Sequence, residues 1–132
     1  TNAGVDEFQV YFNGSTIIVE VNNGGEEINT NAGITQGAWT HLAITRESST
    51  IKLYVNGIQN PNTGSDSTVL DFSTCPLIIG ADNDAGCTTT INDFFEGLID
   101  DVRVYNYSLT ATQVKSLMDD GALRFGPVTG AP

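Results

Sequence analysis

Phe94-Phe95-Glu96-Gly97-Leu98-Ile99-Asp100-Asp101-Val102-Arg103-Val104-Tyr105-Asn106 leads directly into Tyr107-Ser108-Leu109-Thr110. Read as a strand over Phe95 to Tyr105, alternate side chains separate onto two faces. Leu98, Asp100, Val102 and Val104 share one face; Ile99, Asp101, Arg103 and Tyr105 share the other. Asp101 and Arg103 then meet water. Asp100 stands among apolar neighbours, where an ionised carboxylate must be hydrogen-bonded, paired or bound to a metal.

On the C-terminal side of this stretch lies a helix signal. Thr110 with Gln113 three residues on makes a capping box, and Leu109 and Val114 can form the hydrophobic staple around it. Val114, Leu117 and Met118 give one apolar face, and Gly121 suits a C-cap, which predicts a short helix around 110–119. On the N-terminal side, short β-rich runs are separated by Gly, Asn, Asp and Ser. Phe8–Phe12 and Thr16–Val21 flank Asn13-Gly14, and Trp39–Arg46 pairs with Ile51–Val55, after which Asn56-Gly57 turns the chain again. Val69–Phe72 and Leu77–Ile79 complete the expected strands. This spacing predicts an all-β fold, a two-sheet antiparallel sandwich. Residues 1–121 are expected to form the domain, and 122–132, ending Gly126-Pro127-Val128-Thr129-Gly130-Ala131-Pro132, a tail or linker.

A chain of 132 residues is one domain with room for a core. Sixteen acidic against five basic side chains give a net charge of −11. That excludes nucleic acid as a natural partner, because phosphate binding needs clustered Lys and Arg, and it disfavours anionic membrane surfaces. It favours cations, and it also serves solubility. No apolar run reaches the ~18 residues that insertion across a membrane requires. Cys75 and Cys87 are the two cysteines. In so acidic and Thr/Asn/Gly-rich a chain the pair reads as a disulfide closing a loop in an oxidising compartment, with two separate buried thiols as the alternative.

Three segments together carry a family resemblance. They are Trp39-Thr40-His41-Leu42-Ala43-Ile44-Thr45-Arg46, Ile51-Lys52-Leu53-Tyr54-Val55-Asn56-Gly57, and Gly97 to Asn106 with Leu109-Thr110. In this order, after Pro76-Leu77-Ile78-Ile79-Gly80, the chain resembles the bacterial laminin G-like, concanavalin A-like jelly rolls, a superfamily that includes pentraxins and lectin domains. The resemblance implies a jelly-roll sandwich in a secreted or cell-surface, multidomain protein, binding a polysaccharide or other glycan, or another protein, often with Ca²⁺. It also implies two or three further strands before the equivalent of Phe8. Leu123-Arg124-Phe125 is one segment able to fill such an edge position.

Candidate site residues follow from both lines of reading. Asp100 is read either as a Ca²⁺ ligand, toward which the resemblance pulls, or as a buried carboxylate bonded to backbone N–H groups or to His41. Asp82, Asn83 and Asp84 offer three oxygen side chains in a row, either for one cation or as a polar loop held by Cys75 and Cys87. Their spacing is not that of an EF-hand. Asp93, with Asn92, precedes the opening strand and is able to join either site. Trp39 and His41 are expected on one strand face as packing residues. Sugar-binding rings are sought among Tyr11, Tyr54, Phe94, Tyr105 and Tyr107, with Tyr11, Tyr54 and Tyr105 on the polar-alternating faces. Catalysis finds little support. The adjacent Glu26-Glu27 point to opposite faces of an extended segment, Glu20 is isolated, and no Gly-x-Ser-x-Gly occurs.

Overall fold

The computed structural model describes residues 8–21, 25–69, 77–82, 91 and 93–124. Its strands are β1 (Phe8–Asn13), β2 (Thr16–Val21), β3 (Gly25–Asn31), β4 (Leu42–Glu47), β5 (Thr50–Val55) and β6 (Ile58–Ser65), followed by helix α1 (Ala111–Arg124). They form two antiparallel three-stranded sheets, ordered β1-β2-β3 and β4-β5-β6. This is the expected sandwich of two sheets with a C-terminal helix.

Period-2 patterning decides which side chains of each central strand enter the shared cluster, although Ile18 and Tyr54 on the opposite faces are buried as well. Ile17, Val19 and Val21 of β2 join Ile28 of β3 and Ile51 and Leu53 of β5 in one buried cluster. Val10, Leu42, Ile44 and Val55 pack around it. Each fully buried aliphatic side chain contributes about 1.5–3 kcal/mol, so these two central strands carry the cohesion of the two sheets.

Tight turns set the register. Asn13 pairs with Thr16, leaving Gly14-Ser15 as the loop, with Gly14 at a φ of 62°. Val55 pairs with Ile58 around Asn56-Gly57, whose φ values are 49° and 74°, the left-handed pair that a type I′ turn requires. Asn56 also extends this ladder. Its backbone N–H donates to the His41 carbonyl (2.8 Å), and its Oδ1 accepts from the His41 N–H (3.0 Å).

Strands β3 and β6 are the ones the sequence pattern does not announce. In β3, Ile28 alone is a large apolar residue, and a register shift at Val19/Glu20 is what lets Ile28 face Val19 and enter the core. Strand β6 has the sequence Ile-Gln-Asn-Pro-Asn-Thr-Gly-Ser. Pro61 falls where the pairing with β5 jumps from Lys52↔Thr63 to Tyr54↔Gln59, a position that needs no ladder donor. The Asn60 Oδ1 takes the Asn62 N–H (2.9 Å) across that irregularity. The two strands meet where Gly64 lies against Glu27. A Cβ placed on Gly64 would stand 2.6 Å from the Glu27 Cβ and 2.9 Å from its carbonyl oxygen. The Glu27 carboxylate accepts from the Ser65 N–H (2.9 Å), and the Asn60 amide donates to Thr30 Oγ1 (3.3 Å).

The capping box is present. The Thr110 N–H donates to Gln113 Oε1 (2.8 Å), and the Gln113 N–H donates to Thr110 Oγ1 (3.3 Å). Val114 is fully buried, and Met118 lies against Gly57, so α1 rests on the β5–β6 turn. The helix does not stop at Gly121 but continues to Arg124, so Leu123-Arg124 are helical and do not form an edge strand.

Three further expectations are corrected. Trp39 is 67% exposed and precedes β4 instead of lying in it. The turn at Thr35–Ala38, closed by the Ala38 N–H on the Thr35 carbonyl, carries it outward. Leu77–Ile79 is not a strand, nor is Val69, while residues 70–72 lie outside the described residues. The segment from Phe95 to Tyr105 is irregular and exposed as well. Within it Asp101 takes a φ of 54°. The Asp100 Oδ1 accepts the Asp101 N–H (2.8 Å), and Asp101 grips Arg103 with both oxygens (2.8 and 2.7 Å). Such local bonds compete with a ladder, and among the described residues no strand lies alongside to offer one.

The approach of β3 and β6 at Gly64 gives a direct test. Gly64→Ala forces the Glu27 backbone away, and overpacking of this kind costs about 1–3 kcal/mol. Urea denaturation should show that loss with an unchanged m-value, whereas wild-type stability in the variant would mean the two strands do not touch there.

Candidate binding surface

The stretch from Phe94 to Tyr107 leaves the sandwich at one anchor and returns at another. The first anchor is Phe95, whose N–H donates to the Gly80 carbonyl (2.8 Å) and whose ring lies 5.9 Å from that of Phe12. The second is the capped start of α1. Between them the side chains stand in solvent, with Leu98 79% and Val104 80% exposed. Asp100 is therefore not on a core face. Its carboxylate is exposed and serves as the local acceptor for Asp101.

His41 and Arg103 meet electrostatically beside this stretch. The His41 Nδ1 is buried without a hydrogen-bond partner among the described residues. Burial first, and the Arg103 guanidinium second, hold the imidazole below its ordinary pKa of 6.5, with Asp101 pulling weakly the other way. Arg103 is held more firmly charged by its bonds to Asp101 and then to Tyr105. His41 is thus a neutral packing residue beside a surface ion pair.

Where the stretch returns, a groove of about 260 Å³ opens between it and α1, lined by Tyr105, Tyr107, Leu109, Thr112, Gln113, Ser116 and Leu117. Tyr105 and Tyr107 meet nearly edge to face, with centroids 5.8 Å apart and planes at 66°. Leu109 and Leu117 are half-buried and form the apolar floor, while Thr112 and Ser116 are exposed hydroxyls on the helix. None of the lining side chains is charged. A second open groove lies beside Arg46, Ser48, Ser49 and Thr68. There Arg46 is already engaged, donating to the Ser48 and Asp66 carbonyls (3.2 and 2.9 Å) and to that of Thr68. It works as a clamp on the loop after β6.

The sequence-derived candidates are scattered. Tyr54 is 2% exposed and its hydroxyl donates to Gln59 Oε1 (3.4 Å), which makes it a core residue. Tyr11 is half-buried and donates to Glu20 Oε2 (3.3 Å), its diagonal neighbour across β1 and β2. Of the three preferred tyrosines, Tyr105 alone borders a groove. Asp82 accepts from the Gln9 amide (3.4 Å), and Asp93 is exposed at a φ of 45°. Asn83, Asp84, Asn92, Cys75 and Cys87 lie outside the described residues. Among the described residues no three His, Cys, Asp or Glu side chains gather closely enough to hold a metal ion, so Asp82, Asp93 and Asp100 do not by themselves make a calcium site. Sequence reasoning missed Thr112, Gln113 and Ser116 as site residues. Their signal was the position of a polar helix face immediately after Tyr105-x-Tyr107.

Comparison with known proteins bears on this arrangement. A laminin G model of the concanavalin A-like lectin/glucanases superfamily matches residues 1–115, and the chain belongs to that family. No curated protein matches it. Among solved structures, a 2.1 Å crystal structure of an S-layer domain-containing protein from Clostridium thermocellum is similar, with a TM-score of 0.51 at 22% identity. The match covers 89% of this chain and 66% of that one, and it shows a shared fold.

His41 supplies a test of the surface electrostatics. Its folded pKa lies below the 6.5 of the unfolded chain. Below pH 6.5 the unfolded state therefore takes up a proton that the folded state refuses. Its contribution to stability is complete above that pH and is lost as pH falls through the folded pKa. His41→Gln should flatten the fall in melting temperature between about pH 7 and pH 5.5. An identical fall in the variant would show that His41 is not the group responsible.

Proposed function

We propose that this member of the concanavalin A-like lectin/glucanases superfamily is a non-catalytic carbohydrate-binding module of a larger secreted or cell-surface protein. The observation that carries the reading is the uncharged groove at Tyr105 and Tyr107, where aromatic rings adjoin hydroxyl and amide groups. Sugars present apolar C–H faces and polar edges together, so a site for them combines both. The structural neighbour is described as containing an S-layer domain, which accords with a surface setting. The net charge of −11 disfavours nucleic acid and anionic lipid as competitors for the role.

The absence of catalysis is supported by how the β-sheet carboxylates are used. Glu20 accepts from Tyr11, and Glu27 is committed to the Ser65 N–H. A hydrolytic pair needs two carboxyl groups facing one cleft. Among the described residues neither groove is lined by a carboxylate.

A second reading, contact with another protein, is favoured by one specific observation. Leu98, Val102 and Val104 stand exposed along one stretch, and contiguous apolar surface of this kind marks interaction sites. It is compatible with the first reading, since the two surfaces use different residues.

Affinity electrophoresis through gels containing a panel of soluble polysaccharides tests the function. Retardation on at least one neutral polysaccharide is expected. Free migration on the whole panel would overturn the carbohydrate reading and leave the protein-contact reading. Running each gel with EDTA and again with Ca²⁺ addresses the cation. We propose the loop Asp82-Asn83-Asp84 as the calcium site, so the melting temperature should rise with Ca²⁺ concentration and fall back in EDTA. No shift at millimolar Ca²⁺ would remove calcium from the account.

A further inference from the structure

We infer that the stretch from Leu98 to Tyr105 pairs with the same stretch of a second copy of this chain, the two running antiparallel about a two-fold axis at Val102. A second copy gives the protein-contact reading its partner, and the proposal rests on that reading and not on carbohydrate binding.

The stretch has the pattern of a strand and lacks a neighbour. Its apolar and polar side chains alternate, yet among the described residues no strand lies beside it. Leu98, Ile99, Val102 and Val104 all stand exposed, Val102 by 52%, and a row of this kind marks an interaction surface. In the free chain local substitutes take the place of a ladder. Asp100 Oδ1 accepts the Asp101 N–H (2.8 Å), and Asp101 takes a φ of 54°, a left-handed value uncommon outside glycine. An added strand supplies backbone acceptors and draws the stretch straight. With Val102 facing its own copy as a non-hydrogen-bonded pair, Asp101 and Arg103 exchange N–H and C=O bonds across the axis. The Asp101 N–H then has a backbone partner, and its left-handed turn is released.

Charge chooses the occupant and the register. In an antiparallel pair related by a two-fold axis, one residue faces its own copy, and that residue fixes all the others. With Val102 on the axis, Asp101 of each copy faces Arg103 of the other, on both sides. Asp100, Asp101 or Arg103 on the axis would set like charges directly opposite, which destabilises a strand pair. Val104 on the axis would oppose Arg103 to Tyr105 and Asp101 to Tyr107, leaving both charges unmatched. Within one chain Asp101 already grips Arg103 with both oxygens (2.8 and 2.7 Å), so the two side chains suit each other as acceptor and donor. Pairing repeats that match across the axis. Val102 then meets Val102, and Ile99 comes opposite Tyr105, a β-branched residue against an aromatic one. Tyr107 and the helical wall of the groove stay outside the paired segment. Such an interface uses one patch twice and closes at two copies.

Sedimentation velocity of the 132-residue chain should show a monomer–dimer equilibrium with a Kd on the order of 0.1 mM, as suits a small contact. An ionic strength of about 0.15 M, where exposed charges act over only ~8 Å, keeps the repulsion between two chains of charge −11 from masking it. Amides from Leu98 to Val104 should exchange freely in the monomer and gain protection as the dimer forms. Val102→Lys, which sets two cations on the axis from an exposed position, should weaken the dimer at least tenfold with an unchanged melting temperature. Arg103→Asp and Asp101→Arg should each be monomeric alone. Mixed in equal amounts they should associate at least as tightly as the unaltered chain, because every pair across the axis is again of opposite charge.

A chain that stays monomeric at millimolar concentration, or protection of Leu98–Val104 already complete in the monomer, would overturn the second copy as the partner. A dimer that survives both single charge variants, or a mixture that does not associate, would overturn the register at Val102. Retardation on polysaccharide gels is read separately with the Val102→Lys chain, so the carbohydrate reading stands or falls by itself.

Discussion

Burial of the inward faces of β2 and β5 in one cluster is the constraint on which the rest of this structure depends. Ile17, Val19 and Val21 from one strand, with Ile51 and Leu53 from the other, hold two small sheets in one body. Among the described residues each sheet has three strands, and an isolated sheet of that size is stable only when one face is covered. Among the edge strands β1, β3 and β4 add Val10, Ile28, Leu42 and Ile44 to this cluster, while β6 contributes little apolar area. It adds precision instead, because the contact of Gly64 with Glu27 and the bond from Ser65 to the Glu27 carboxylate fix how β6 lies over β3.

From that arrangement follows the position of the helix. The Asn56-Gly57 turn places β6 beside β5 and presents Gly57 to Met118, so α1 docks where the turn has no side chain to obstruct it. The capping box at Thr110 and Gln113 then fixes where the chain enters the helix. The preceding residues, Tyr105 to Leu109, are carried against the helix surface as a consequence. The tyrosine groove is thus a by-product of helix docking, which is why its walls come from one loop and one helix and from no strand.

Much of this was legible in the sequence wherever burial and local chemistry agree. Strands β1, β2, β4 and β5, the Asn56-Gly57 turn and the N-terminus of α1 carry both a pattern and a punctuation mark. Where the two disagree, pattern reading fails for identifiable reasons. Strand β6 contains proline and glycine and buries little, so its pairing is imposed by β5 and by Glu27. The stretch Leu98–Tyr105 alternates well, yet alternation specifies a strand only if a neighbour receives its hydrogen bonds. Here Asp100 and Asp101 satisfy the chain locally, and Asp101 adopts a left-handed φ of 54°. Trp39 fails similarly, since a turn that faces it outward leaves no trace in period-2 counting. In the candidate site, Tyr105 was identifiable as a polar-face aromatic. Tyr54 looked equivalent in sequence but is 2% exposed although it lies on the face of β5 opposite Ile51 and Leu53, because the covering of both faces is a tertiary fact.

Two small sheets hold the core, while the stretch from Leu98 to Tyr107 remains outside it as open surface. Amide hydrogen exchange separates these two regions residue by residue, since protection follows hydrogen bonding and burial. Strong protection is expected at Val19, Ile51 and Leu53, with near-random-coil exchange from Leu98 to Val104 in the isolated chain. Protection of Leu98–Val104 equal to that of β5 would contradict this arrangement, because the stretch would then be a paired strand of the sandwich and the groove beside α1 a different surface.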